Sequence, residues 1–199
     1  MDNNSKSRHG CVQVYTGNGK GKTTAALGIT IRASGAGMKI AFIQFMKALG
    51  YSEQKILPTL PGVTWKTLGK PFFIAKKCSI SDEDLAKYGD GCVVFEEGDP
   101  PAEYVKMIHD GFASAREMVL SGDYDMVVLD EINCALFFGL IDTSEVLDLI
   151  RNKPAHTELI LTGRYAPEEI MEAADLVTEM REIKHYYAQG VPARRGIEN

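Results

Sequence analysis

The chain of 199 residues holds one tryptophan, four cysteines and fewer basic than acidic side chains. Each shortage excludes something. No apolar run approaches the roughly 20 residues that cross a bilayer as a helix, so no membrane partner is expected. The stretch Met1 to Gly10 is polar and lacks the apolar segment of a secretory signal. Residues 1–10 therefore read as a flexible N-terminal tail, residues 11–199 as one domain, and the cytoplasm as the expected compartment. Cys11, Cys78, Cys92 and Cys134 include no C-x-x-C pair, which leaves no zinc or dithiol redox motif. Cys11 and Cys134 fall in apolar segments and read as buried thiols, whereas Cys78 and Cys92 lie in a less regular region. The four histidines are scattered and form no ligand pattern. With 22 Lys and Arg against 27 Asp and Glu, the net charge is −5. That balance speaks against nucleic acid as a partner, because a grip on phosphodiesters needs a basic face.

What is present is an alternation of short apolar strands with helical stretches. It predicts an α/β fold with a mostly parallel sheet and helices on both faces. Strands are expected over 11–15, 39–45, 63–68, 126–130, 158–162 and 176–180. The third of these alternates in polarity and is expected nearer an edge. Helices are expected over 22–34, ended by Gly35 and Gly37, over 101–120, over 132–140 and over 144–151. A further helix is opened by Pro167. In the second helix Val105, Ile108, Phe112, Ala115 and Val119 make one apolar stripe. Residues 69–101 are the least regular part, a long polar and aromatic excursion of the kind that often serves as a lid or binding segment.

The strongest local signal is Gly17-Asn18-Gly19-Lys20-Gly21-Lys22-Thr23-Thr24, between an apolar strand and a helix. That is the context of a phosphate-binding P-loop. Glycines let backbone N–H groups turn inward around an anion, and the helix N-terminus adds partial positive charge. Lys22 brings a full charge to phosphate oxygens, and the Thr23 hydroxyl can ligate Mg²⁺. ATP is the expected ligand, and the fold is expected to be P-loop NTPase-like, of the RecA-like kind. The usual motif has four residues between its first glycine and the Gly-Lys pair. Here only Asn18, Gly19 and Lys20 separate Gly17 from Gly21. The tighter cradle offers different N–H directions, so the phosphates are expected to sit differently from those of an ordinary ATPase. Lys20 adds a second positive charge.

The strand Met126-Val127-Val128-Leu129-Asp130-Glu131 ends in two acids, as a metal-holding strand beside a P-loop does. A regular strand points adjacent residues to opposite faces, so one acid is expected to meet Mg²⁺ directly. Glu131 is assigned that place, with Asp130 reaching the ion through water or capping the following helix. Arg164 follows another apolar strand, in Thr162-Gly163-Arg164, and should project into the same crevice. Arg32, on the first helix, reads as a solvated face.

Taken together, several segments resemble the P-loop type of ATP:corrinoid adenosyltransferase. They are the run from Thr16 to Ala26 with its short loop, the strand Val127 to Glu131, the turn Leu161 to Arg164, the stretch Ala173 to His185, and Arg195-Gly196-Ile197-Glu198. The resemblance covers most of the chain and keeps the motif order. It implies that a corrinoid, reduced to Co(I), attacks the 5′-carbon of ATP and displaces triphosphate, with ATP held in reversed polarity on the short loop. It implies Lys22, Thr23 and Glu131 as the catalytic residues. It further implies an aromatic loop after the third strand that closes on the corrinoid, a flavoprotein reductase as partner, and a homodimer. At that loop this chain has Gly69-Lys70-Pro71-Phe72-Phe73, and the family's tryptophan is absent; the sole tryptophan, Trp65, lies within a strand. Phe72 and Phe73 are thus the corrinoid candidates, or else core anchors of the excursion.

Overall fold

The computed structural model describes residues 9–77, 80, 85 and 91–199. Cys78 and most of the expected N-terminal tail lie outside the described residues. Gly10, at the end of that tail, is buried, and its N–H donates to the Ala155 carbonyl at 2.8 Å.

Six parallel strands form the central sheet in the order β3-β2-β6-β7-β1-β8. They are β1 (Val12–Thr16), β2 (Ile40–Phe45), β3 (Val63–Leu68), β6 (Met126–Asp130), β7 (Glu158–Thr162) and β8 (Leu176–Glu179). β3 is an edge strand, as its alternation predicts. β8, the other edge, is exposed along its whole length. The inner strands are buried on both faces, which is why they read as unbroken apolar runs.

Alternate residues of those strands face two separate cores. Ile40, Phe42, Met126, Val128 and Ile160 pack with Ala26 and Ala33 of α1 (Lys22–Gly35). Ala41, Ile43, Val127, Leu129, Leu159 and Leu161 pack under α2 (Ala102–Leu120), α3 (Ile132–Phe137), α4 (Thr143–Asn152) and α5 (Glu168–Glu172). The period-two switch of faces along each strand sets this three-layer arrangement. The α2 stripe is buried at Ile108, Phe112, Ala115 and Val119.

The excursion after β3 holds two short strands that its sequence does not announce. β4 (Phe73–Lys76) and β5 (Cys92–Phe95) pair in parallel as a separate two-stranded sheet. Ile74, Ala75 and Phe95 are its buried residues, and the Phe95 ring lies 6.0 Å from that of Phe138 just past α3.

Candidate active site

The carboxyl ends of β1, β2, β6 and β7 open onto one cleft of about 680 Å³, a volume typical of small-molecule sites. Three non-glycine residues with left-handed backbones lie just past those ends: Met46 (φ 58) after β2, Glu131 (φ 64) after β6 and Tyr165 (φ 59) after β7. Such conformations cost on the order of 1–3 kcal/mol each and gather at functional sites.

The phosphate loop turns between β1 and α1 with Gly17 at φ 94 and Gly21 at φ 120. Glycine is required at two of its positions by packing as well. A Cβ on Gly17 would meet the Met180 carbonyl oxygen at 2.5 Å, and one on Gly19 would meet it at 2.7 Å. The Gly19 N–H donates to that same oxygen at 2.6 Å, so one N–H of the short cradle already has a partner in the chain. Lys22 is buried, and its ammonium donates to the Gly17 and Gly19 carbonyls at 2.8 and 2.9 Å. An ammonium has three protons, so one remains for an oxygen in the cleft. Burial lowers the Lys22 pKa, and the Glu131 charge works against that shift. Asn18, Gly19, Lys20, Gly21, Lys22, Thr23 and Thr24 all line the cleft, whereas Gly17 is turned against Met180.

Asp130 and Glu131 part company here. Asp130 is fully buried and does not cap α3; the cap position belongs to Glu131, without a side-chain bond. The Asp130 carboxylate instead accepts four bonds. Thr23 Oγ1 and Thr162 Oγ1 donate to Oδ1 at 2.9 and 2.7 Å, and Lys47 Nζ and Gln44 Nε2 donate to Oδ2 at 2.9 and 3.3 Å. Glu131 lines the cleft and accepts from the Cys134 thiol at 2.8 Å. Burial raises the Glu131 pKa, and the neighbouring Asp130 charge adds to the rise. Burial and the Glu131 charge push the Cys134 thiol far up, so it stays protonated as a donor. Cys11 and Cys134 are half-buried rather than buried, and Cys134 faces the cleft.

Arg164 lines the cleft, as its place after β7 predicts. The two phenylalanines of the excursion separate. Phe72 packs inward, its ring edge-on to the fully buried Tyr104 at 5.8 Å, whereas Phe73 is 55% exposed and lines the cleft.

Two contributors carry no sequence motif. Lys47, two residues past β2, reaches Thr23 and Asp130 because β2 lies beside β6 in the sheet. The C-terminal turn folds across the cleft. Lys20 Nζ lies 3.2 Å from the Ile197 carbonyl and 3.3 Å from the Glu198 carboxylate, and the Ser52 hydroxyl donates to the Asn199 oxygen at 2.9 Å. Bonds from Arg194 and then Tyr186 hold the Glu198 carboxyl well below the usual carboxylate range. The only sequence signal for either was position: a lysine past the carboxyl end of a sheet strand, and a charged ending shared with the resembled family.

The arrangement can grip a polyphosphate by one end between Lys20, Lys22 and a helix N-terminus, with acids placed for a divalent ion. Residues 8–199 match the family model for ATP:corrinoid adenosyltransferase BtuR/CobO/CobP. The chain belongs to that family. A corrinoid adenosyltransferase from a Sinorhizobium species is 36% identical over 193 residues, covering 95% of this chain and 80% of the relative. Those of Pseudomonas aeruginosa and Escherichia coli are 33% and 29% identical, each covering 98% of this chain and 86% and 88% of the relative.

Proposed function

We propose that this protein transfers the 5′-deoxyadenosyl group of ATP to the Co(I) of a corrinoid and releases triphosphate. The reading is carried by a phosphate loop one residue shorter than usual, whose Lys22 is seated on the loop's own carbonyls, in a chain that matches the family almost from end to end. Family membership speaks against two other uses of a P-loop fold, a RecA-like ATPase and a non-enzymatic nucleotide or corrinoid binder.

In the reaction the cobalt electron pair forms a bond to the 5′-carbon. The bond from that carbon to oxygen breaks, and its electrons leave on triphosphate. No side chain needs to supply or remove a proton. The protein's task is to bind the leaving group, align the two substrates and exclude water. Alignment of bound reactants is worth roughly 7–11 kcal/mol in favourable cases. Lys22, Lys20 and the loop N–H groups stabilise the charge that grows on the leaving triphosphate, and Arg164 adds to them. Gly17, Asn18, Gly21 and Thr24 shape the cradle.

The residues fit Mg²⁺. Thr23 offers a hydroxyl, Glu131 a carboxylate facing the cleft, and Asp130 a carboxylate behind Thr23. Among the described residues no cluster of three or more His, Cys, Asp or Glu could form a metal cage. That suits an ion that takes one or two protein groups and completes its shell with substrate phosphates and water. Bound there, Mg²⁺ would add positive charge on the leaving group.

Phe73, exposed at the cleft, is the aromatic contact proposed for the corrinoid in place of the family's tryptophan. A flavoprotein reductase, a homodimer and cytoplasmic residence belong to the same proposal. No helix among the described residues is long and apolar enough to cross a membrane. The test is an anaerobic assay with ATP, Mg²⁺, a reductant and several corrinoids, followed by absorbance. A light-sensitive cobalt–carbon bond is the expected product, and ATP hydrolysis without corrinoid dependence would overturn the reading.

A further inference from the structure

The Asp130 carboxylate has no acceptor position left. A carboxylate offers about four lone-pair sites, and Thr23, Thr162, Gln44 and Lys47 fill them. Three of these donors are neutral and fixed on α1, β7 and β2. The fourth is a full positive charge on a flexible stem. Its ammonium also donates to Thr23 Oγ1 at 3.2 Å, the same hydroxyl oxygen proposed to ligate Mg²⁺. A monovalent cation thus already sits on the Thr23 oxygen that a divalent ion at this place would use, and on the Asp130 carboxylate behind it.

We propose that Lys47 is the resident cation of the Thr23–Asp130 pair, that it gives up this place when a divalent ion arrives with the nucleotide, and that it then turns to the triphosphate. The inference rests on the metal reading above and deepens it. Two positive charges bonded to one hydroxyl oxygen repel strongly at the few ångströms such sharing enforces, so ammonium and metal ion exclude one another. The ammonium has somewhere to go. Glu53 Oε1 lies 3.6 Å away, the Tyr51 ring centroid lies 5.3 Å away, and Lys47 itself lines the cleft. Without the divalent ion, the ammonium neutralises a carboxylate that has no exposure to water, and a lone buried charge is costly.

The arrangement makes cation entry conditional. Without triphosphate to receive the lysine, a divalent ion must displace it unaided, so binding to the nucleotide-free protein is weak. With triphosphate bound, the displaced ammonium gains a second anionic partner. Lys47 then counts, with Lys20, Lys22 and Arg164, as a fourth positive side chain on the leaving group.

The experiment titrates Mn²⁺ by electron paramagnetic resonance into wild type, Lys47→Met and Lys47→Arg, with and without ATP. Lys47→Met is expected to bind Mn²⁺ at least about tenfold more tightly than wild type when no nucleotide is present, a difference of about 1.4 kcal/mol. Lys47→Arg, which keeps the charge, is expected to stay weak. In isotope-labelled wild type, the lysine ammonium resonance that is coupled across a hydrogen bond to a side-chain carboxylate, which Lys22 on its two carbonyls cannot be, should be visible in metal-free protein and should lose that coupling when Mg²⁺ and ATP are added together. That second readout needs no variant and decides the matter even if Lys47→Met fails to fold. Equal nucleotide-free affinities in wild type and Lys47→Met, or a coupling that persists with Mg²⁺ and ATP, would overturn the inference while leaving the metal reading in place. Failure of wild type to take up Mn²⁺ even with ATP would overturn the metal reading, and the inference with it.

Discussion

The carboxyl edge of the sheet and the excursion after β3 both border the cleft, yet they are held by opposite means. Around Asp130 a fully buried charge is fixed by four hydrogen bonds from two strands, a helix and the loop after β2. The excursion is held by aromatic packing, Phe72 on Tyr104 and Phe95 on Phe138, with Lys76 over the Phe137 ring and the ion pair Lys77–Glu96 on its outside. The difference separates two tasks. Charge on a leaving group needs donors fixed in place beforehand. On the proposed function a large flat substrate would meet the exposed Phe73 of the small two-stranded sheet.

The sharpest way to break the comparison is Lys22→Ala. It should lower adenosyl transfer by about 10²–10³-fold or more and leave the thermal midpoint close to wild type; a matched fall in stability would make the cradle a folding element instead. Asp130→Ala should come next. It leaves the Thr23, Thr162 and Gln44 donors without their acceptor and should lower unfolding stability by roughly 1–3 kcal/mol for each donor left buried and unpaired, measured by urea denaturation. In the excursion the two phenylalanines should divide. Phe72→Ala should cost on the order of 2 kcal/mol of stability, below the range for a wholly buried ring. Phe73→Ala should leave stability unchanged and raise the corrinoid KM about tenfold, with the ATP KM unaltered. Smallest of all, Lys77→Ala should leave the thermal midpoint unmoved, since exposed ion pairs contribute little.

Glu131 gives a pH test of the same contrast. Its pKa is raised in the folded protein, chiefly by burial, so the folded state holds the proton more readily than the unfolded one. Stability from this group is present at acid pH and is lost as pH rises from the ordinary carboxylate range through the folded value. Glu131→Gln should therefore match wild type near about pH 4 and unfold at a higher temperature near about pH 7, while losing transfer activity. A variant no more stable than wild type at the higher pH would show that the site stores no such strain.

Much of the central sheet could be read in the sequence, because fully buried parallel strands leave unbroken apolar runs; 126–130 and 158–162 are expected and observed with the same bounds. The phosphate loop was legible because its parts are contiguous. Lys47 was not, since its meaning comes from β2 lying next to β6, which no local pattern encodes. That Asp130 and Glu131 diverge was legible from strand alternation, but the left-handed turn at Glu131 was not. The pairing of Lys20 with Glu198 spans nearly the whole chain, and β4 and β5, of four residues each, are too short to show a period.

The most direct test of the account is the fate of the phosphates in a single-turnover reaction, followed by phosphorus NMR under anaerobic conditions with a Co(I) corrinoid. One intact tripolyphosphate released for each cobalt–carbon bond formed is the predicted result. ADP and orthophosphate in its place would mean that the loop presents a phosphorus atom to attack, and would contradict the account.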